Sequence, residues 1–523
     1  MATQSLLIAA GSLFGGCFAA TVLLVPLVRR FARRVGAVDQ GGYRKVFEGA
    51  MPLLGGLAIA LPLVTLGIFC AIGGYLVFLN WGYLLRHYPA HFDAIYGLAT
   101  YSRRECFVLA AGALGILALG LVDDTRGMRA RYKLAGQLAV ALFVTCFGFA
   151  VSSVSLPLLG TINLGLPLGI LLTAFWIVGL INAFNLIDGI DGLASGIAFV
   201  GALSLVALSL IQGNAFITLA GAALAGGVLA FLLFNFPPAR MFLGDTGSMF
   251  LGYALATMSL VGAQKSPAAI ILVAPVLALS FPIFETLVSI IRRYLRGVPI
   301  FMGDNHHTHH RLLSKGYSQP RVVLTLCGVA VCLAASAVLA ALAREGSPAQ
   351  FLSYALFCGS LAYIAWLAGY LRPTTFRRIA DRRRRNRLLH AFSAYATLCL
   401  NGNGSTARTG LLLALCRQEL GLHHLDLRLA SGAVLLASPT HDNGTPAATP
   451  TERLRVKSAD GQDLFIHFDF IEIPDEHRRN DANACLAAIF DQIRLDRLPN
   501  SPALPAATPD PVPPVMKDSD IPV

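Results

Sequence analysis

The sequence predicts an all-α polytopic membrane protein of about eleven transmembrane helices, with a small α+β domain at its C-terminal end. Three observations predict it. Of 523 residues, 55% are hydrophobic and only 13% charged, and the mean hydropathy is +0.64, a balance that a water-exposed surface of ordinary charge density does not supply. The apolar residues gather in runs near the roughly 20 residues that span a hydrocarbon layer. Lys and Arg concentrate in alternate connectors between those runs, as the positive-inside rule requires.

Eleven apolar segments precede residue 372, at 5–28, 51–79, 105–122, 134–152, 166–181, 193–212, 215–235, 248–263, 268–290, 321–343 and 351–371. The first lacks a basic n-region and a small-residue cleavage site, so it reads as a retained helix. The glycine-rich stretch 221–227 suggests close helix packing.

One set of connectors carries Arg29, Arg30, Arg33, Arg34, Arg44 and Lys45, then Arg126, Arg129, Arg131 and Lys133, then Arg240, then Arg292, Arg293, Arg296, Arg311, Lys315 and Arg321. The other set has Arg86, Arg103, Arg104, Lys265 and Arg344. This asymmetry puts the first set in the cytoplasm and, with eleven crossings, the C-terminal region there too. The formal net charge of +12 sits mostly in these short connectors, which favours topology and membrane lipids over nucleic acid as its explanation. None of the ten cysteines forms a C-x-x-C pair, so neither a disulfide framework nor a zinc knuckle is suggested.

The expected organisation is a membrane domain at 1–371, a basic juxtamembrane linker at 372–387, an α+β domain at 388–498 and a disordered Pro/Ala-rich tail at 499–523. Within the α+β domain, Leu411–Leu420 reads as helical. Strands are expected around Ser431-Gly432, a hairpin around Asp460-Gly461, and a closing helix at Asp481–Leu495.

Four segments of the first set of connectors carry the chemistry. Asp123 and Asp124 end an apolar run; adjacent carboxylates there can be solvated caps or a functional pair. Asn182, Asn185, Asp188 and Asp191 recur every three residues, which in a helix or 3₁₀ turn would put them on one face, and Gly189 and Gly192 let backbone approach a ligand closely. In the third segment, from Asn235 through Phe242 to Ser248, Asp245 lies between glycines. Helix capping is the plain role for Asp245 or Ser248, and completion of an oxygen-rich Mg²⁺ site the functional one. The fourth segment holds His306, His307, His309 and His310 before Arg311. Zinc ligation is one reading, but adjacent imidazoles cannot all reach one metal, and a His/Arg cluster also suits phosphate.

The topology puts all four segments on one face. Joining two anionic substrates requires charge neutralisation, alignment and a weakly basic group, which Mg²⁺, Arg/His and Asp can provide. Eleven spans alone would also fit a multi-pass transporter, and the C-terminal domain would fit a membrane-bound sensor. Transporters, however, line a path within the membrane with ionisable residues.

The Asp-Asp pair, N-x-x-N-x-x-D-G-x-D-G-L-A, F-x-G-D-x-G-S and H-x-H-H together resemble the polyprenyl-phosphate N-acetylhexosamine-1-phosphate transferases, over residues 36–320 and on through the apolar segments to 371. The H-x-H-H form is closer to the bacterial hexosamine-phosphate branch than to the muramoyl-pentapeptide branch. The loop Asp39–Glu48 keeps the family's Arg-Lys at Arg44-Lys45 but lacks the His that usually follows, and Glu285 stands where many relatives have Asp.

The resemblance implies a bacterial inner-membrane enzyme with a cytoplasmic active site, acting at the first membrane step of cell-envelope glycan synthesis. Its substrates would be a UDP-N-acetylhexosamine and undecaprenyl phosphate, its cofactor Mg²⁺ with Mn²⁺ as the alternative, and a homodimer is a candidate assembly. Asn185 and Asp245 would hold the metal, and Asp123, supported by Asp124, would deprotonate or orient the lipid phosphate. Asp188 and Asp191 would position the nucleotide, and Asn235 and Phe242 would lie near the uracil. His307, His309, His310 and Arg311 would contact phosphate or sugar, and Asn182 and Lys133 join the substrate-binding set.

Overall fold

The computed structural model describes residues 2–39, 51–87, 89–156, 160–263, 273–296, 307–344 and 346–370, the strands at 422–429, 434–437, 452–457 and 463–470, and residues 483 and 486. The chain divides into two compact units, Met1–Arg293 with Pro299–Thr375, and Tyr294–Val298 with Phe376–Val523.

The first unit is helical. In chain order its helices are α1 (Ala2–Arg34), α2 (Gly55–Leu79), α3 (Trp81–His87), α4 (Pro89–Arg126), α5 (Ala130–Val144), α6 (Gly165–Ile187), α7 (Leu193–Ile211), α8 (Ala215–Asn235), α9 (Gly244–Ala263), α10 (Val273–Ala278), α11 (Ser280–Arg296), α12 (Thr308–Ser314), α13 (Gln319–Leu342) and α14 (Pro348–Leu367). Two short antiparallel ladders interrupt them, β1 (Val38–Asp39) with β2 (Met51–Pro52), and β3 (Ser153–Leu156) with β4 (Gly160–Asn163).

Among the described residues, eight helices are long and apolar enough to cross a membrane: parts or all of α1, α2, α4, α6, α7, α8, α13 and α14. The remaining three segments of the eleven expected differ in kind. α5 is only 15 residues long and passes into a π turn at Thr145–Phe149. α9 opens on the polar Gly244-Asp245-Thr246-Gly247-Ser248. The segment at 268–290 lies partly outside the described residues, and its described part is broken between α10 and α11.

α9 is the axis of the unit, buried at every residue from Thr246 to Val261 and packed by α6, α4, α2, α7 and α8. Glycine makes this closeness feasible. A Cβ on Gly56 of α2 would sit 2.0 Å from the Cα of Gly247, and one on Gly120 of α4 would sit 2.4 Å from the Cα of Thr246. Small residues at such crossings let backbones touch. Hydrogen bonds then lock the chain entering α9: Gly55 and Gly56 donate their N–H groups to the carbonyls of Phe242 and Leu243 at 3.1 Å, and Phe242 donates to Pro52 O at 3.0 Å. Leu54, ahead of α2, takes φ +71° while wholly buried, a left-handed conformation costing of order 1 kcal/mol that packing must hold.

In the second unit, β5 (Leu422–Leu429), β6 (Val434–Ala437), β7 (Glu452–Lys457) and β8 (Asp463–Phe470) form an antiparallel sheet in the order β6-β5-β8-β7. Leu425, opposite Phe468, and Ile466, two residues before Phe468 on β8, are fully buried, the period-two pattern of a sheet with one covered face. The expected helix at 411–420, the linker at 372–387 and the tail at 499–523 lie outside the described residues, as does the closing helix apart from positions 483 and 486.

Candidate active site

α4, α6 and α8 end, and α5, α7 and α9 begin, at the same end of the bundle, where hydrogen bonds join their connectors. The last turn of α4 supplies two carboxylates with separate tasks. Asp124 turns toward α9: Oδ1 accepts the Asp245 N–H at 2.8 Å, and Oδ2 accepts the Thr246 N–H at 2.9 Å and the Thr246 hydroxyl at 2.6 Å. A carboxylate on the free N–H groups of a helix start both caps it and meets its positive end. Gly244 takes φ +73°, and a Cβ there would lie 2.7 Å from Asp124 Oδ2.

Asp123 turns the other way. Its Oδ1 accepts the Met128 N–H at 2.7 Å, and its Oδ2 lies 2.6 Å from Lys133 Nζ. That ammonium also sits 2.5 Å from Asp245 Oδ2, so Lys133 clamps two carboxylates. The other oxygen of Asp245 accepts a hydrogen bond from Asn185 Nδ2, which also donates to Ser248 Oγ at 3.0 Å. Asp123, Lys133, Asn185 and Asp245, far apart in sequence, thus form one contiguous cluster.

Electrostatics there is lopsided toward negative charge. Burial opposes the charge on Lys133, but the Asp245 and Asp123 carboxylates outweigh it and hold its ammonium above the ordinary lysine range. Burial, helped by the neighbouring Asp123, pushes the Asp245 carboxyl up to about 6 despite Lys133. Asp188 stands well above the carboxylate range, from burial and then the charges of Asp245, Asp124 and Asp191. Burial also raises Asp191, although its Oδ2 accepts the Ala239 N–H at 3.1 Å.

Such a site favours a cation. Among the described residues no group of three or more His, Cys, Asp or Glu converges as a metal cage. Mg²⁺ does not need one, because it binds through one or two carboxylates and takes its other oxygens from water and substrate phosphates. Asp245 and the Asn185 amide oxygen are donors of that kind, and the unbalanced carboxylates around them fit a divalent ion.

The periodic set of α6 divides where the helix stops. Asn182 and Asn185 stand on its last turns, Asp188 occupies the C-cap, and Asp191 lies in the following turn. Asn182 points away from the acid cluster, donating to Gln137 Oε1 at 2.6 Å and Val178 O at 2.8 Å. Asn235 is buried, and internal bonds occupy both ends of its amide: Oδ1 accepts from the Gly192 N–H and the Ser195 hydroxyl, while Nδ2 donates to Met241 O. It ties the start of α7 to the connector before α9. Phe242 is half-buried in that connector.

The histidine segment reaches the same end. His307 precedes α12, and its ring centroid stands 5.6 Å from that of His309. His309 is buried against Gly189, where a Cβ would fall 2.4 Å from Nε2, and that nitrogen has no hydrogen-bond partner among the described residues. Burial, followed by the neighbouring His310, lowers its pKa to about 3, so the ring is neutral. His310 and Arg311 are half-buried, the Arg311 guanidinium lying 4.4 Å from the Tyr370 ring centroid. His306 and the expected substrate loop around Arg44 and Lys45 lie outside the described residues.

Thr246 and Gln137 carry no role in the sequence reading, and Ser248 enters it only as a cap and as the last residue of F-x-G-D-x-G-S. Gln137 was visible as a polar residue one turn after Lys133 inside an apolar run, and it links α5 to Asn182 and, at 3.3 Å, to Met249 Sδ.

Comparison with known proteins places the chain in a family. A family model described as glycosyl transferase family 4 matches residues 106–263, the stretch holding both aspartate pairs, Lys133, Asn185 and Asp245. A probable undecaprenyl-phosphate N-acetylglucosaminyl 1-phosphate transferase of Bacillus subtilis is 36% identical over 321 residues, covering 61% of this chain and 82% of the relative. A decaprenyl-phosphate N-acetylglucosaminephosphotransferase of Mycobacterium tuberculosis is 36% identical over 320 residues, 57% of this chain and 74% of the relative. An undecaprenyl-phosphate alpha-N-acetylglucosaminyl 1-phosphate transferase of Escherichia coli is 26% identical over 328 residues, 62% and 82%. This multi-pass membrane chain belongs to glycosyl transferase family 4, among the polyprenyl-phosphate N-acetylhexosamine-1-phosphate transferases.

Proposed function

We infer that the protein transfers an N-acetylhexosamine 1-phosphate from a UDP-sugar to undecaprenyl phosphate or a closely related polyprenyl phosphate, releasing UMP. The observation that carries this reading is the clamp of Lys133 on Asp123 and Asp245, with Asn185 on the far side of Asp245. It is an anion-rich, one-ended site in a chain whose relatives are named for this transfer. An oxygen of the lipid phosphate attacks the β-phosphorus of the UDP-sugar. The bond from that phosphorus to the oxygen bridging it to the α-phosphate breaks, UMP leaves, and a polyprenyl-diphosphate-sugar remains.

Asp123, fixed by the Met128 N–H and Lys133, orients the incoming lipid phosphate and takes its proton where it has one. Asn185 and Asp245 would hold Mg²⁺, which when bound would neutralise the diphosphate. Asp188 and Asp191 position the nucleotide, with Phe242 beside the uracil and Asn235 shaping the connector that carries it. His307, His309, His310 and Arg311 meet phosphate or sugar. By the positive-inside argument this end of the bundle faces the cytoplasm of a bacterial inner membrane.

Purified protein given UDP-GlcNAc, undecaprenyl phosphate and Mg²⁺ is expected to release UMP, to stop on chelation with EDTA and to resume with Mg²⁺ or Mn²⁺. A panel of UDP-N-acetylhexosamines identifies the donor, and no UMP from any of them refutes the reading.

A further inference from the structure

One buried carboxylate has no task in this scheme. Glu285, on α11, is fully buried. Its Oε1 accepts the N–H of Thr308, the first residue of α12, at 2.7 Å and lies 3.4 Å from His307 Nδ1. Ser289, one turn further along α11, brings its Oγ to 3.1 Å from the same nitrogen, and Arg292 donates to that Oγ at 3.2 Å. Oε2 of Glu285 has no hydrogen-bond partner among the described residues. A buried, half-satisfied carboxylate costs stability that an apolar residue would not.

α12 has only seven residues, too few to be stable alone, so contacts with neighbours must set its orientation. At its C-terminal end Lys315 Nζ donates to Leu367 O, and on its flank Arg311 lies over Tyr370. At its N-terminal end the anchor is Glu285.

We propose, on the basis of the transferase reading, that Glu285 is a positioning residue of the reaction. It holds His307 through Nδ1 and the first turn of α12 through the Thr308 N–H, so that His307, His309 and His310 meet the acid cluster as one set. With Nδ1 engaged, the ring is fixed in orientation and Nε2 is its other working nitrogen.

The test uses the full chain in detergent or nanodiscs, as Glu285→Ala, Glu285→Gln and Glu285→Asp, with two readouts. In hydrogen–deuterium exchange, Glu285→Ala should speed exchange of the peptide covering 307–315 at least about tenfold while α9 is unchanged. In UMP release, kcat should fall about 10- to 100-fold, the usual range for a lost supporting carboxylate, with donor KM within about threefold. Glu285→Asp should recover part of the rate. Adding Glu285→Ala to His307→Ala should cost little more than His307→Ala alone.

Unchanged exchange at 307–315, or losses that multiply in the double variant, would overturn the proposal. Should Glu285→Ala fold poorly, the two closer substitutions carry both readouts. If the wild-type protein releases no UMP, the transferase reading fails, and exchange alone then decides whether Glu285 anchors α12.

Discussion

Lys133→Met removes the one ammonium between two carboxylates while keeping the length and apolar body of the side chain. Asp123 Oδ2 and Asp245 Oδ2 lie 2.6 and 2.5 Å from Nζ, so those oxygens stand no more than about 5 Å apart. The side chains of Lys133, Asp123 and Asp245 are 15%, 9% and 32% exposed, a partly wet site for which an effective dielectric near 20 is appropriate. Two unit charges at that distance then repel by about 3 kcal/mol.

The unclamped pair can relieve this repulsion by keeping a proton. Asp245 already titrates at about 6, so in Lys133→Met the pair should retain its last proton into the neutral range. A protonated Asp245 is a poor metal donor. UMP release by Lys133→Met should therefore fall at least about 100-fold at pH 7 and recover in part near pH 9, while the wild-type rate changes little over that interval. A profile parallel to wild type, or more than half the wild-type kcat/KM at pH 7, would refute the clamp. Collapse of the folded protein would not mimic this result, because unfolding gives no recovery at alkaline pH.

Other consequences follow from the same contacts. Asp124→Ala strips three hydrogen bonds from the start of α9 and should cost about 1–3 kcal/mol, read as a lower thermal midpoint in detergent, while a midpoint equal to wild type would deny Asp124 its capping task. Gly189→Ala would place a methyl group 2.4 Å from His309 Nε2; transfer should drop at least about tenfold with a smaller loss of stability than Asp124→Ala, and full activity would separate His309 from the site. Burial holds the folded-state pKa of His309 down at about 3, against about 6.5 for an ordinary histidine. The unfolded chain binds the extra proton throughout that window, so this contribution is complete above pH 6.5 and is lost as pH falls toward 3. His309→Gln should flatten that part of the curve of thermal midpoint against pH.

The apolar runs and the four polar segments were legible in the sequence because each rests on local pattern. Span length gave the long apolar helices, but α9 obeys another rule. Its polar first turn and glycines make sense only as the centre of a bundle, and nothing local distinguishes a helix surrounded by protein from one surrounded by lipid. The threefold recurrence from Asn182 to Asp191 was legible too, yet it does not make one functional face: α6 ends at Ile187, and Asn182 turns to Gln137 instead. The division of labour between Asp123 and Asp124 was not legible, since adjacent residues on a helix end point about 100° apart and only the position of α9 decides which one becomes its cap.

That division bears on how the site can hold phosphate. A helix N-terminus is a ready anion site, and α9 begins in the middle of the cluster, but Asp124 already takes the N–H groups of Asp245 and Thr246 in its first turn. Lys133, the cation at the centre of the cluster, is taken up by Asp123 and Asp245. The protein has therefore spent both of the obvious positive elements on its own carboxylates. Two phosphate-bearing substrates would meet an excess of negative charge unless a further cation enters with them and the half-buried His310 and Arg311 approach from α12. The way the positive groups are used, as well as the donors present, thus supports the proposed divalent metal. Lys133→Met would then bind metal more weakly at neutral pH and as well as wild type once Asp245 has ionised. Titration of the activity with Mg²⁺ at pH 7 and pH 9 measures that difference directly, and metal dependence that is the same for both proteins at both pH values would place the ion elsewhere.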